Sequence, residues 1–413
     1  MLKSNLSYSS NLKDTFNPDS QTPENCPTKQ ALCHARHKIK PSAFTAINTL
    51  LTTAFYAANK QHLSDFCGLR PLGIDGTGLR IEDQAYDEML EELIAKEGNK
   101  LAPSILNPQA PVIRGSVLHD ISNEVIVDIK AGSNLYSEHE FAIQHLDRVD
   151  SENDLMVFDR GYHALWFLLF LNMKGKKFVC RGKKQKFIDE FLDSGKDEDI
   201  VELTVKSSHL NTTSRHKKFI TEAGIKAGDK LKLRLVRYEE LNEFGEVVSY
   251  VMVSNLLDEK RYPTSKFKEL YRLRWRIEEA IKTYKISIEV ERWSGISWFT
   301  AQQDIERAAL LYNFTRMNTY GVDKKIREET RKKLASKKLK YSQKLNITEA
   351  LRAMRGLLSS VVRVGFKIDP VKRLIAFLKT VAADKTDIKP NRSFSRDLKN
   401  SAKRFHMNCK SNT

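Results

Sequence analysis

Tyr271-Arg-Leu-Arg-Trp-Arg-Ile-Glu-Glu-Ala-Ile-Lys-Thr-Tyr-Lys285 sets an aromatic ring, three cations and one carboxylate at regular intervals along a segment patterned as a helix. At about 100° per residue, Tyr271, Arg274, Glu278, Lys282 and Lys285 fall within an arc of about 80°. Leu270, Leu273, Ile277, Ile281 and Tyr284 form an adjoining apolar stripe. Such a stripe predicts a helix docked on a core, with its charged face held beside a packed wall. A plain solvated face is the other reading of the same charges.

Two more carboxylates stand upstream, each where an apolar run ends. Asp75 lies in Leu72-Gly-Ile-Asp-Gly-Thr-Gly-Leu-Arg-Ile81, in which Asp-Gly also suits a hairpin turn. Asp159 lies in Leu155-Met-Val-Phe-Asp-Arg-Gly-Tyr162. There a buried-strand pattern meets a carboxylate and a glycine turn before a helical run from His163 to Phe170. Acidic residues also occupy ordinary loops at strand ends, so the three together carry more than any one.

The spacing Tyr-x2-Arg-x3-Glu-x6-Lys resembles the signature, written YREK, of the insertion-sequence-four family of bacterial DDE transposases. The resemblance runs from about Gly73 to Gly295, and Glu291-Arg-Trp-Ser-Gly295 is similar to the segment that follows the family's helix. Lys389-Pro-Asn-Arg-Ser-Phe-Ser-Arg396 is similar to the short basic tail of relatives. The resemblance implies catalytic, metal-binding roles for Asp75, Asp159 and Glu278, with Asp75 bridging two Mg²⁺ ions and the other two each completing one site. Mn²⁺ is expected to substitute. Three carboxylates from separate elements suit a hard cation held by oxygen, and two such ions serve phosphodiester chemistry.

On the same resemblance, Arg274, Lys282 and Lys285 are expected to grip the DNA backbone and Tyr271 to donate to a terminal phosphate. Trp275 either stacks on DNA or fills the interface between helix and sheet. Tyr250 falls near the position of an aromatic wedge, often Trp, in relatives that cut through a DNA hairpin. The implied activity is cut-and-paste transposition on double-stranded DNA by a homodimer: terminal repeats are bound, the element's ends cleaved and the 3′ hydroxyls joined to a target. A non-catalytic or domesticated DNA-binding protein is the alternative from another class, and a plain RNase H-like nuclease a second enzymatic one. His145-Leu-Asp-Arg148 also matches a fragment of the tyrosine-recombinase pattern, with nothing else of that constellation beside it.

The pattern along the chain predicts an α/β fold: an RNase H-like mixed sheet core with a β-rich insertion, flanked by N-terminal and C-terminal helical regions. Residues 1–70 read as a loose polar arm to about 38, then a helical DNA-binding region whose Phe44, Ile47, Leu51, Ala54, Phe55 and Ala58 make a packing face. Residues 71–181 supply the first part of the core, with strands over 73–80, 112–118 and 124–130, an acidic helix over 83–96 and a helix over 137–149 opened by a Ser137/Glu140 capping box. The strand ending at Asp159, the helix 163–170 and a strand over 177–181 complete that part. Residues 182–255 form the insertion, with strands over 200–205, 230–238 and 246–254, and with basic loops at Lys183, Lys184, Lys186, Arg215, Lys217 and Lys218 that either follow a DNA backbone or are solvated. The second part of the core, 256–320, carries the glutamate helix, and 321–413 is a basic helical region.

Charge agrees with a polyanion partner. The formal net charge of the 413 residues is +17, and residues 321–413 hold 25 Lys plus Arg against 8 Asp plus Glu, so the whole excess lies there. The five cysteines are scattered and odd in number, which argues for a reducing compartment rather than a disulfide framework. Cys26, Cys33, His34 and His37 do not have a usual zinc spacing. No apolar run reaches the length of a membrane span, and a cytoplasmic, nucleoid-associated protein is expected.

Overall fold

The computed structural model describes residues 27–97, 111–241, 246–364 and 369–389. The chain divides into two compact units, one formed by Asn59–Thr77 with Arg114–Ile281, the other by Met1–Ala58, Gly78–Ile113 and Lys282–Thr413.

The first unit is organised by an eight-stranded sheet. Its strands are β1 (Arg70–Arg80), β2 (Val112–Asp120), β3 (Val125–Gly132), β4 (Asp154–Phe158), β5 (Lys177–Arg181), β6 (Glu198–Thr204), β7 (Lys230–Leu241) and β8 (Val247–Ser254). They lie in the order β3-β2-β1-β4-β5-β8-β7-β6. β1, β4 and β5 are parallel, whereas β2 with β3, β5 with β8, and β7 with β6 and β8 are antiparallel. The first five strands have the expected RNase H-like order. The three strands of the expected insertion do not stand apart; they extend the same sheet through β8 against β5.

The parallel centre is read easily because both faces are covered. Every residue of β4 is buried, and Leu72, Ile74, Phe178 and Cys180 are fully so, which gives the continuous apolar runs of such strands. The apolar segment after Asp159 becomes a helix buried from Leu165 to Leu171, and no described helix is long and apolar enough to cross a membrane. Arg70, at the start of β1, forms a two-pronged ion pair with Asp154, at the start of β4, with bonds of 2.7 and 2.8 Å, so the two strands are registered from their first residues.

The capping box at Ser137 and Glu140 forms, but the helix it opens covers only Glu138–Gln144 instead of continuing to Val149. His145 ends it. Its Nδ1 lies 2.8 Å from Asp128 Oδ2 on β3 and its Nε2 3.1 Å from Ser116 Oγ on β2, and a short 3-10 turn follows at Leu146–Arg148. The three side chains are buried, and burial holds the His145 pKa below its usual value despite the Asp128 hydrogen bond. The recombinase-like His145–Arg148 match is therefore a structural brace. His145→Ala leaves Asp128 and Ser116 short of a buried partner and is expected to cost about 2–3 kcal/mol of stability, measured by urea unfolding.

In the second unit, Lys29–His37 forms a helix inside the stretch read as a loose arm. Thr28 caps it, and Arg36 anchors it by bonds to Ser294, Gln303, the Thr300 carbonyl and Asp304. The next helix, Pro41–Asn59, buries Asn48, Thr52 and Phe55, while Ile47, Ala54 and Ala58 of the expected packing face are exposed. A polar contact turns that helix: Asn313 donates to Asn48 Oδ1 at 2.7 Å, and a buried amide needs its partner. The 38-residue helix Trp298–Ala335 is the longest element here, followed by helices Ile347–Val364 and Pro370–Ala383 and by the antiparallel strands Ser342–Leu345 and Lys385–Ile388. Cys26 and most of the 389–396 tail motif lie outside the described residues.

Candidate active site

The β1/β4 register runs from Arg70 opposite Asp154 to Gly73 opposite Val157. Continued two residues further, that register points Asp75, within β1, and Asp159, the residue after β4, to one face of the sheet. Gly73 leaves that face bare below Asp75. A Cβ there would stand 2.8 Å from Ile121 Cγ2 and 3.7 Å from Ile277 Cβ, so the missing side chain makes room for Ile121, and Ile277 of the glutamate helix packs beside it at ordinary contact distance. Glu278 is the residue after Ile277 and thereby arrives at the same end of the sheet.

The glutamate helix is not one uninterrupted rod. It comprises Thr264–Leu273, a break at Arg274, Trp275–Lys282 and a π-helical turn at Thr283–Ser287. Arg274 at the break is only 6% exposed, and its Nη2 donates to Glu278 Oε1 at 2.9 Å. Burial opposes its charge, but Tyr271, Asp159 and Glu278 together raise its pKa. Burial raises the Asp75 pKa to about 6, helped by Glu278 and Glu138 and resisted by the Gly76 amide and Arg274. One guanidinium thus interacts with all three carboxylates.

Tyr271 donates its hydroxyl to Asp159 Oδ1 at 3.4 Å, and burial pushes its pKa up to about 12. Its ring lies 6.1 Å from Tyr238, which lies 5.2 Å from Tyr250, and the Arg181 guanidinium sits 4.0 Å over Tyr250. These strand tyrosines make an aromatic wall running to the carboxylates. Trp275 does not fill an interface: it is 56% exposed, with Arg274 at 5.7 Å.

The two lysines differ. Lys282 closes its helix and is exposed. Lys285 lies in the π turn, donates to the Gly78 carbonyl at 2.7 Å and pairs with Glu291 at 3.5 Å, so its charge is engaged within its own unit. The count of 100° per residue does not hold through the wider π turn.

The family model for the transposase DDE domain matches residues 71–314, a span that contains all three carboxylates. The chain belongs to the DDE transposase family. This DDE transposase is 23% identical over 304 residues to the transposase InsG of insertion sequence element IS4 from Escherichia coli (strain K12), across 72% of this chain and 63% of that protein. It thus spans less than two thirds of that relative's length. A cryo-EM structure of the piggyBac transposase synaptic complex with hairpin DNA is 12% identical with a TM-score of 0.36, covering 78% of this chain and 59% of that one.

Two further residues in neighbouring turns stand outside the sequence pattern. Glu138, in the first turn of the helix after β3, lies across the glycines that follow the two aspartates: a Cβ on Gly76 would be 3.4 Å from its Oε1, and one on Gly161 3.7 Å from its Oε2. Tyr162 closes the Asp159-Arg-Gly-Tyr turn; it is buried, and its hydroxyl has no hydrogen-bond partner among the described residues. The only sequence cue to either was the polar turn itself, and a capping-box helix gives no sign that its first residue looks toward strand ends.

An all-oxygen donor set suits a hard divalent cation, and burial, with a smaller contribution from the Glu278 and Glu138 charges, raises the proton affinity of Asp75. Among the described residues no group of three or more His, Cys, Asp or Glu is arranged to hold an ion. Arg274, bonded to Glu278, supplies the positive charge in this arrangement.

Proposed function

We propose that the chain is a cut-and-paste DNA transposase, which binds terminal inverted repeats, cleaves the element's ends and joins the 3′ hydroxyls to target DNA. The observation that carries this reading is that Asp75 from the middle of β1, Asp159 from the end of β4 and Glu278 from the glutamate helix all interact with Arg274. Asp75, Asp159 and Glu278 would hold two Mg²⁺ ions, with Mn²⁺ substituting. When bound, such a pair acidifies the attacking water or hydroxyl and stabilises the leaving oxygen.

The chain's own residues do the remaining work. Arg274, buried beside Glu278, would fork onto a phosphate that bare carboxylates would repel. Tyr271, already aimed at Asp159, offers its hydroxyl to the same phosphate. Exposed Trp275, with Tyr250 on the aromatic wall, contacts bases or sugars, and exposed Lys282 adds a backbone contact, which Lys285 can match only by leaving Gly78 and Glu291. The basic region beyond residue 320 holds double-stranded DNA through its phosphates, and a homodimer brings two ends together.

Asp75→Ala, Asp159→Ala and Glu278→Ala are each expected to remove Mg²⁺-dependent cleavage of end-bearing DNA while gel-shift binding persists. Cleavage surviving in all three variants would overturn the assignment. A parent protein that binds ends but never cuts would favour a domesticated DNA binder.

A further inference from the structure

We infer that Arg234, Glu198 and Thr264 are positioning residues for the proposed cleavage: they fix the start of the glutamate helix on β7, and through it the places of Tyr271, Arg274 and Glu278. The inference rests on the carboxylate-site reading above and gives the β-rich segment a task in it, that of a rail for the helix.

The helix needs an anchor from outside itself. Its N-cap is Pro263, which makes no side-chain hydrogen bond to the first turn, so the usual local device for fixing a helix start is missing. The sheet supplies a substitute. Arg234, within β7, is fully buried; its Nη1 donates to the Tyr262 carbonyl at 2.7 Å, and its Nη2 to Thr264 Oγ1 at 3.1 Å and to Glu198 Oε2 at the start of β6. The Thr264 hydroxyl donates in turn to the same Glu198 carboxylate, which closes a ring of three side chains at the first helical residue. A carboxylate is also the favourable charge at a helix N-terminus, and the Arg234 guanidinium lies 5.2 Å over the Phe267 ring one turn later.

The contacts continue along one face of the helix. The Glu239 carbonyl accepts from Lys268 Nζ, Glu240 Oε1 accepts from Arg272 Nε at 3.2 Å, and the Tyr238 ring lies 6.1 Å from that of Tyr271. Positions three and four apart on a helix are neighbours, and the advance from Thr264 to Tyr271, about 10 Å, nearly matches the about 13 Å from Arg234 to Tyr238. Helix and strand thus run side by side in the same direction. The rail ends at Tyr271, whose hydroxyl reaches Asp159, with Arg274 one turn on and Glu278 bonded to it. A buried ion pair adds little stability over apolar side chains of the same volume; what Arg234 and Glu198 supply is a single direction for the helix that carries the site.

The test compares cleavage with binding in the full chain, well below the melting temperatures. Thr264→Val keeps the shape of the side chain and removes both of its hydrogen bonds. It is expected to bind end-bearing DNA as the parent does in gel shifts and to cut it about tenfold more slowly at saturating DNA and Mg²⁺, with Thr264→Ser restoring the rate to within about twofold. Arg234→Met is expected to lose more, about 100-fold. His145→Ala separates positioning from stability: it too loses buried hydrogen bonds, but they run to β2 and β3 rather than to the helix, and it should cut at the parental rate. Parental cutting by Thr264→Val would overturn the inference, as would an equal loss in His145→Ala or a failure of Thr264→Ser to restore the rate. Should Arg234→Met not fold, the two Thr264 variants decide. Asp75→Ala tells this apart from the reading beneath it: cleavage surviving there sinks the carboxylate site itself, whereas its loss beside parental cutting by Thr264→Val sinks only the helix anchor.

Discussion

Asp75→Asn is expected to melt above the parent at pH 8 in chelator and to cut no DNA. The carboxyl has a pKa of about 6 in the fold against an ordinary 3.8, so between those values the folded state binds more proton than the unfolded one. Stability therefore falls as pH rises from about 4 to 6 and stays lowered above, by about 3 kcal/mol in total from this group. Asparagine carries no charge to be buried and can still accept from the Gly76 amide, which donates to Asp75 Oδ1 at 2.9 Å. The gain should thus be full above pH 6 and vanish below pH 4. Cleavage moves the other way. In the proposed role, losing this carboxylate would forfeit several kcal/mol of transition-state stabilisation, a rate loss of at least about a thousandfold. Melting curves at pH 4 and pH 8 with a cleavage assay check both halves, and equal melting at the two pH values relative to the parent would refute the electrostatic account.

Arg274→Ala should have the second largest effect, in the opposite direction for stability. The guanidinium is buried against a Glu278 carboxylate that is 29% exposed, and its removal leaves three carboxylates without the cation they share. Breaking a buried pair costs about 3–5 kcal/mol, and the partial exposure of Glu278 places this one near the lower figure. If the proposed Mg²⁺ site is right, the ion would take over the lost charge, so millimolar Mg²⁺ should raise the melting temperature of Arg274→Ala by more than it raises that of the parent. Cleavage should still fall by about 100-fold to 1,000-fold, because a cation on the metal site does not replace the fork on the phosphate. Arg274→Lys keeps the charge and loses the fork, so its stability should recover more than its activity. An equal Mg²⁺ response in parent and alanine variant would show that Arg274 is not the stand-in cation.

Much of the fold was legible along the chain because buried parallel strands and capped helices announce themselves locally. β4 and β5 needed only their apolar runs, and the helix at Glu138 needed only Ser137 and Glu140. The misses came where a distant partner decides. His145 ends a helix early because Asp128 and Ser116 on neighbouring strands claim its ring, and Pro41–Asn59 presents Asn48 inward because Asn313 waits there. Trp275, apolar enough for a core, stands in solvent.

The run from Tyr271 to Lys285, with Asp75 and Asp159 in or after apolar stretches, was sufficient by itself to point to the family that the domain match shows and to single out the three carboxylates proposed as its site, since residue type and spacing are properties of a linear chain. Only tertiary structure decided that Arg274 rather than a lysine lies against them, that Lys285 is bonded elsewhere, and that the β-rich segment joins the main sheet. Each of those depends on which groups meet through space, where strand register, a bare glycine and a break in a helix set distances that no spacing in the sequence encodes.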